Sequence, residues 1–376
     1  MDYDKILIRY GELGLKSKPV RRRFSDRLIT NIHKGLDSKN IEHSVAKTRG
    51  RIFIETEEIG ESIEVVRKIF GIVSLSPVKE IKTDLNIICD EITEISKEYF
   101  EDGNTFSIRA RRSGSHNFTS QMIERKAGSK VLEANENLEV DLDNPDKTIF
   151  VEARQRGSYV FLNKFEGPGG MPLGTQEKVL VLITDTLYSP VACWMMMKRG
   201  CSVLPIFVDN RPYENLEDEM SNISRVLRGW NIGEKFSMKR YENGNNIFKI
   251  KESVEKDLGY IINQRLMYST MENIAKEEDC KAIVSPNTTE NNELFKNMKF
   301  VDEIVKIPIL RPLIGLDRKE VEEFARKIGN YTDYVSRKKN KIFTKKRFNI
   351  DEEEVNEAGE SVDFDSMVDK NLKEFE

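Results

Sequence analysis

Apolar residues recur along this chain with two periods, and the places where the period changes outline its elements. From Pro19 to Leu36 they fall at four-residue steps (Val20, Phe24, Leu28, Ile32, Leu36), which predicts an amphipathic helix. Runs of strand length flank it: Ile6–Tyr10 before, and Arg51–Glu55 after. Ile63–Phe70 reads as a second helix that stops at Gly71, and helical spacing returns over Asp84–Phe100 and Gln121–Asn135. Between those last two helices Thr105–Arg111 alternates strictly. Phe106, Ile108 and Ala110 share one face, while Thr105, Ser107, Arg109 and Arg111 share the other. Val140 opens a short strand, and Thr148–Glu152 with Ser158–Leu162 reads as a hairpin.

The rhythm shifts after the glycine- and proline-rich linker Glu166–Gly174. Val179–Ile183 is an apolar strand, Pro190 suits the first turn of a helix, Lys198-Arg199-Gly200 stops that helix, and Val203–Val208 returns as a strand. A helix over Leu258–Glu278, strands at Lys281–Ser285 and Ile304–Ile309, and a helix opened by the capping box Asp317–Glu320 and ended by Gly329 follow. Alternation of strand and helix predicts a parallel α/β sheet. The fold class is therefore α/β multidomain: a ferredoxin-like α+β unit over 1–80, a second α+β unit over 81–170, a parallel-sheet domain over 171–350, and a tail over 351–376. The tail, acidic and poor in aromatics, reads as disordered or loosely docked.

Charge changes this picture in one respect. The net charge of −4 over 376 residues hides a tail with eleven Asp or Glu against two Lys, which leaves the rest of the chain mildly basic. A basic body of this kind suits a nucleic-acid binder. The candidate contacts are Arg21 and Arg22 on the first helix, beside Arg23 and Arg27, and Arg109, Arg111 and Arg112 on the alternating strand, which displays at least two guanidiniums on one face. Lys126, Arg154, Arg156 and Lys164 fall in the same unit. The tail could cover this basic face when RNA is absent. No apolar run approaches the ~18 residues of a membrane span, and the start of the chain lacks a signal-peptide layout, so a cytoplasmic location is expected.

Candidate chemistry is sparse. Four cysteines (Cys89, Cys193, Cys201, Cys280) show no CxxC pair, and three histidines cannot build a zinc site with them at usual spacing, so no metal site is expected. Met195, Met196 and Met197 cannot share one helix face and read as core filler with partial exposure. The strand-to-helix turn at 184–189 is where nucleotide enzymes of this layout cradle phosphate on glycine amides. Here it is Thr184-Asp185-Thr186-Leu187-Tyr188-Ser189, without a glycine.

At this point the chain resembles the tRNA 4-thiouridine synthetase (tRNA sulfurtransferase) family. The likeness is carried by Ile6–Leu13 with Leu15-Lys16, Phe70-Gly71-Ile72 before Ser76-Pro77, Thr105–Arg112, Asn144-Pro145-Asp146, Gly169–Gly174, Ser189–Ala192 through Lys198-Arg199-Gly200, and Ile309–Leu313. Any one of these is weak, but together and in order they are specific. The resemblance implies a ferredoxin-like domain, a THUMP domain that with it binds tRNA largely through the acceptor end, and a PP-loop ATPase-like domain that adenylates a uridine before sulfur replaces its oxygen. It also implies a homodimer, ATP and Mg²⁺ as cofactors if active, and a sulfur-donor protein or active paralogue as partner.

The departures cluster at the chemistry. The family's loop is Ser-Gly-Gly-x-Asp-Ser, and both glycines are replaced here; Asp185 adds a negative charge beside the expected phosphate. A second motif, Gly-Glu, should follow Ile283-Val284-Ser285, where Pro286-Asn287-Thr288-Thr289-Glu290 stands. The family's sulfur-carrying cysteine lies beyond Pro312, and this chain has no cysteine after Cys280. By the resemblance, the remnant nucleotide contacts are Leu182, Ile183, Thr184, Asp185, Thr186, Ser189, Phe207 and Arg265. The expected function is tRNA binding with adenylation lost and no catalytic residue assigned. The alternative is an active sulfurtransferase with a divergent loop and partner-supplied sulfur.

Overall fold

Strand β1 (Lys5–Tyr10) lies near the middle of a nine-stranded sheet, with Ile6, Leu7 and Ile8 wholly buried. The computed structural model describes residues 1–11, 17–48, 50–185, 187–255, 258–289, 294–330, 342–343 and 351–375. They divide into two compact units, Met1–Gly170 and Met171–Glu376.

In the first unit β1 pairs antiparallel with β3 (Arg51–Glu55) and β4 (Ile72–Ile81), and α1 (Lys18–Asp37) and α2 (Ile59–Val66) intervene in sequence. One edge is β2 (Ser44–Thr48), a strand that the apolar pattern does not announce: an edge strand with mostly exposed positions needs no alternation. The ten-residue β4 runs on past β1 to pair with β8 (Ser158–Phe161). The expected break at 80/81 thus falls at the end of a strand shared by both α+β parts, and the sheet is continuous. Beyond β8 come β7 (Lys147–Ala153), β5 (Thr105–Arg112) and β6 (Glu139–Val140), while β9 (Phe165–Glu166) pairs beside β4. Helices α3 (Leu85–Tyr99) and α4 (Ser120–Ala134) bury Ile88, Ile92, Ile123 and Val131 against Phe106, Ile108, Ile149 and Val151. This leaves Arg109 and Arg111 on the exposed side of β5, as their alternation requires.

The second unit is a five-stranded parallel sheet in the order β12 (Lys239–Glu242), β11 (Cys201–Asp209), β10 (Gln176–Ile183), β13 (Ile283–Val284), β14 (Ile309–Leu310). Helix α5 (Tyr188–Lys198) joins β10 to β11 and is buried nearly all round, with Cys193, Trp194 and Met197 at 0% exposure. Gly200 then adopts φ +87°, where a Cβ would meet Thr175 Oγ1 at 2.5 Å. The chain from 210 to 257 supplies α6 (Glu217–Trp230), β12 and α7 (Gly244–Ser253), elements that the sequence pattern left unmarked. Helix α8 (Gly259–Glu277) precedes β13, α9 (Leu294–Asp302) precedes β14, and α10 (Arg318–Ile328) ends at Gly329 with the anticipated capping box. The expected strand Ile304–Ile309 shrinks to Ile309–Leu310, while Val305 and Ile307 pack on the core outside any strand.

The tail corrects its expectation. Residues 351–375 form α11 (Glu352–Ser361) and α12 (Phe364–Glu374), with Val355, Val362, Met367 and Val368 buried against Ile261, Ile262 and Leu266 of α8. Asn371 donates to Tyr241 Oη at 3.0 Å and Thr270 Oγ1 at 3.3 Å. A low mean hydropathy hid one apolar stripe per helix. Each such side chain, fully buried, is worth about 1.5–3 kcal/mol, enough to dock a charged segment.

Candidate functional site

In the parallel sheet the chain starts at β10, builds outward through β11 and β12, and then crosses to β13 on the other side. The crevice beyond the C-terminal ends of β10 and β13 is the switch point where open α/β sheets take ligands. Two turns flank it, the one after β10 and the one after β13.

The turn after β10 is closed on itself. Asp185 Oδ1 accepts the backbone N–H of Leu187 at 2.8 Å, Tyr188 at 2.6 Å and Ser189 at 3.3 Å. Its Oδ2 accepts the Ser189 hydroxyl at 2.8 Å, and Ser189 Oγ in turn accepts Thr184 N–H at 3.0 Å and Asp185 N–H at 3.3 Å. These are the amides at the start of α5, which carry the positive end of the helix dipole. The carboxylate therefore satisfies amides that would otherwise lack a partner at the start of the helix. Leu182 and Ile183 are wholly buried in the sheet, and Ile183 pairs with Phe207, itself 4% exposed beneath Arg240 at 5.7 Å. Thr186 lies outside the described residues.

Among the described residues Arg265 makes no hydrogen bond to that turn. It sits on α8, donates to Asn356 of α11 at 2.9 Å, and faces a cleft of about 530 Å³ lined with Glu360, Asp363 and Asp365. The tail is thus its partner. After β13, Ser285 is buried and its N–H donates to Leu310 O at 2.9 Å, and Pro286–Thr289 follow without regular structure. Glu290 lies outside the described residues. Among the described residues no group of three or more His, Cys, Asp or Glu could hold a metal ion. All four cysteines are buried; burial pushes the Cys280 thiol up to about 11 and Cys193 higher still.

The basic residues singled out from the sequence lie on the first unit, whose Lys and Arg are balanced in number by its Asp and Glu. Arg21 and Arg22 project from α1 into solvent. Arg109 and Arg111 share one face of β5 and the exposed Arg112 at its end falls on the other, Arg109 donating to Leu142 O and Arg112 to Gly114 O at 3.1 Å. Lys126 donates to Asn86 at 2.6 Å, and Lys164 is exposed. A cleft of about 990 Å³ opens among Lys47, Ser113, Gly114, Arg154, Arg156 and Tyr159. Sequence reasoning passed over Lys47, because β2 was not foreseen, and over Glu152, an acid flanked by buried apolar positions of β7. That carboxylate accepts from Arg154 at 2.7 Å and lies 2.8 Å from Arg51 Nε. Burial alone would raise its pKa, but Arg51, Arg154 and Arg9 hold it below the ordinary range.

With this geometry in hand, comparison is decisive. Residues 174–364 match the family described as thiamine biosynthesis protein (ThiI), 5–76 its ferredoxin-like domain, and 82–163 the THUMP domain. The chain is 36% identical over 341 residues to the "Probable tRNA sulfurtransferase" of Methanothermobacter thermautotrophicus, covering 88% of this chain and 86% of that one. The protein of the same name from Methanosarcina mazei is 37% identical over 335 residues, covering 87% and 82%. This chain belongs to the tRNA sulfurtransferase family.

The family fold is retained throughout. A 4-thiouridine synthetase solved as an RNA complex with bound ATP aligns over 100% of this chain and 99% of its own, with TM-score 0.81 at 23% identity. A Pyrococcus horikoshii structure aligns over 87% and 99%, with TM-score 0.69 at 25% identity. The expected ferredoxin-like, THUMP and parallel-sheet architecture is thereby established. Among the described residues no helix is long and apolar enough to cross a membrane.

Proposed function

We propose that this chain is a tRNA-binding member of the tRNA sulfurtransferase family that has lost ATP-dependent adenylation and acts as a binding or accessory subunit in the cytoplasm. One observation carries the reading: the Asp185 carboxylate caps the amides that a pyrophosphate would have to occupy. A polyphosphate would displace a bound carboxylate and then face its charge at close range, where even a screened unit pair costs about 1–4 kcal/mol at 4 Å. In this reading the residues of the turn do not fit ATP, because a carboxylate already satisfies the helix-start amides.

Two further features point the same way. No cysteine follows Cys280, so the sulfur-carrying position implied by family resemblance is vacant in the sequence, and the cysteines present are buried, with raised pKa values that keep them as thiols. RNA binding is supported by the cleft with Lys47, Arg154 and Arg156 and by the arginines displayed on β5. The relatives named tRNA sulfurtransferase support tRNA as the ligand class. Calorimetry with ATP·Mg²⁺, with and without tRNA, tests the proposal. No ATP heat and no tRNA-dependent release of AMP are expected, alongside measurable tRNA binding. Tight ATP binding or AMP release would overturn it in favour of an active enzyme that takes sulfur from a partner.

A further inference from the structure

One face of the first sheet gathers several cations on a single carboxylate. Glu152 is 3% exposed. Its Oε1 lies 2.8 Å from Arg51 Nε on β3 and accepts from Arg154 Nη1 at 2.7 Å, while Oε2 is 3.5 Å from Arg9 Nε on β1. Arg111 stands opposite Glu152 in the β5–β7 register, and its charge reaches Arg9. One negative group therefore serves three guanidiniums directly, with a fourth close by. Among the described residues these positive charges outnumber the one carboxylate they share.

Arg9 shows the excess most clearly. Its guanidinium lies 4.7 Å above the Phe161 ring and donates from Nη1 to Ser76 Oγ at 3.0 Å. Its Nη2 is buried and has no hydrogen-bond partner among the described residues. Burial pushes the Arg9 pKa down, Glu152 opposes this, and Arg51 and Arg111 lower it further, to about 10, which leaves it charged at neutral pH. A buried donor left over on a crowded cation is a position that an anion would complete.

We propose that Glu152 is a positioning residue: it fans Arg9, Arg51 and Arg154 into a fixed array that receives one phosphodiester of the RNA backbone, without itself touching RNA. This rests on the tRNA-binding reading above. Guanidiniums at such density repel and would splay into solvent without a shared acceptor, and splayed forks lose bidentate recognition of phosphate. Arg154, the member of the array that lines the basic cleft, links it to a space where RNA has room to lie.

The sign of the effect separates this role from its rivals. Glu152 is negative, so if it were only a counter-charge, neutralising it would tighten RNA binding. If it organises the array, neutralising it weakens binding. The test is fluorescence anisotropy of the full chain with a labelled tRNA transcript across a salt series, with melting curves run on each variant. Glu152→Gln is expected to bind at least tenfold more weakly, with a salt slope shallower by roughly 0.7–0.9, one phosphate contact. Glu152→Asp keeps the charge but not the reach, and is expected to fall between the two. A folded Glu152→Gln that binds as tightly as wild type, or more tightly, overturns the proposal. Should Glu152→Gln fail to fold, Glu152→Asp decides: several-fold weaker binding upholds the role, and wild-type affinity ends it. Wild-type protein that does not bind tRNA at any salt removes the tRNA-binding reading itself, a different failure from tight wild-type binding that Glu152→Gln leaves intact.

Discussion

Replacing Asp185 with alanine would open the turn after β10 and strip its cap in one step. The carboxylate accepts three backbone N–H groups and the Ser189 hydroxyl, all at the start of α5. Loss of an N-terminal cap costs about 0.5–2 kcal/mol, and loss of a charge at the positive helix end about 0.3–1 kcal/mol. The two overlap, so roughly 1–2 kcal/mol is expected. At about 2–4 °C per kcal/mol for a domain of this size, the second unit should melt about 2–8 °C lower. Alanine is preferable to glycine because it adds no backbone entropy to the comparison. Differential scanning calorimetry with and without excess pyrophosphate then carries the second half of the prediction. Freed amides should accept the anion, and at ten times its Kd a ligand restores about 1.4 kcal/mol, so pyrophosphate should raise the Tm of Asp185→Ala while leaving wild type unmoved. An unchanged Tm in the variant, or equal stabilisation of wild type by pyrophosphate, would refute the idea that Asp185 holds the phosphate position.

Arg109→Glu with Arg111→Glu should weaken tRNA binding and flatten its salt dependence by roughly 0.7–0.9 per lost phosphate contact; unchanged affinity in an anisotropy titration would remove β5 from the interface. Asn371→Ala leaves Tyr241 Oη and Thr270 Oγ1 short of a buried partner, so a loss of about 1–3 kcal/mol is expected by urea denaturation, and a loss near zero would mean that the tail is not integral to the second unit. Native protein at pH 8 should react with iodoacetamide far more slowly than urea-unfolded protein at every cysteine; rapid native labelling would reopen a thiol chemistry. The Glu152 carboxyl is held low in the folded state, so its stabilisation is present above the ordinary Glu range near 4.3 and fades as pH falls through the lower folded value. The Tm gap between wild type and Glu152→Gln should therefore narrow on acidification, and a gap that widens would contradict the ion pairs.

Much of the architecture was legible because burial imposes a period. The four-residue steps of α1 and the strict alternation of β5 gave both elements to within a residue or two, since each must hide one face. The β10–α5–β11 unit was legible for the same reason, and its ordered motifs pointed to the family. Edge strand β2 and the segment carrying α6, β12 and α7 escaped because their local pattern is too polar to stand out, and strands β13 and β14 were placed but drawn too long, since flanking apolar residues such as Val305 and Ile307 pack on the core outside any strand. The tail escaped because average composition says nothing about where its few apolar residues point.

The sequence by itself thus pointed to the family and showed a turn at 184–189 that holds no glycine, both read from residues close together in the chain. Only the tertiary structure decided how that turn is held: the Asp185 carboxylate folds back on the amides of its own helix. Only the structure brought Arg9 and Arg51, from strands far off in the sequence, to the Glu152 that already neighbours Arg154, a grouping that no local pattern can relate. It likewise gave Arg265 a partner on the tail rather than at the turn. Hydrogen bonds and ion pairs act over a few ångströms in space, so their partners are known only once the chain has closed.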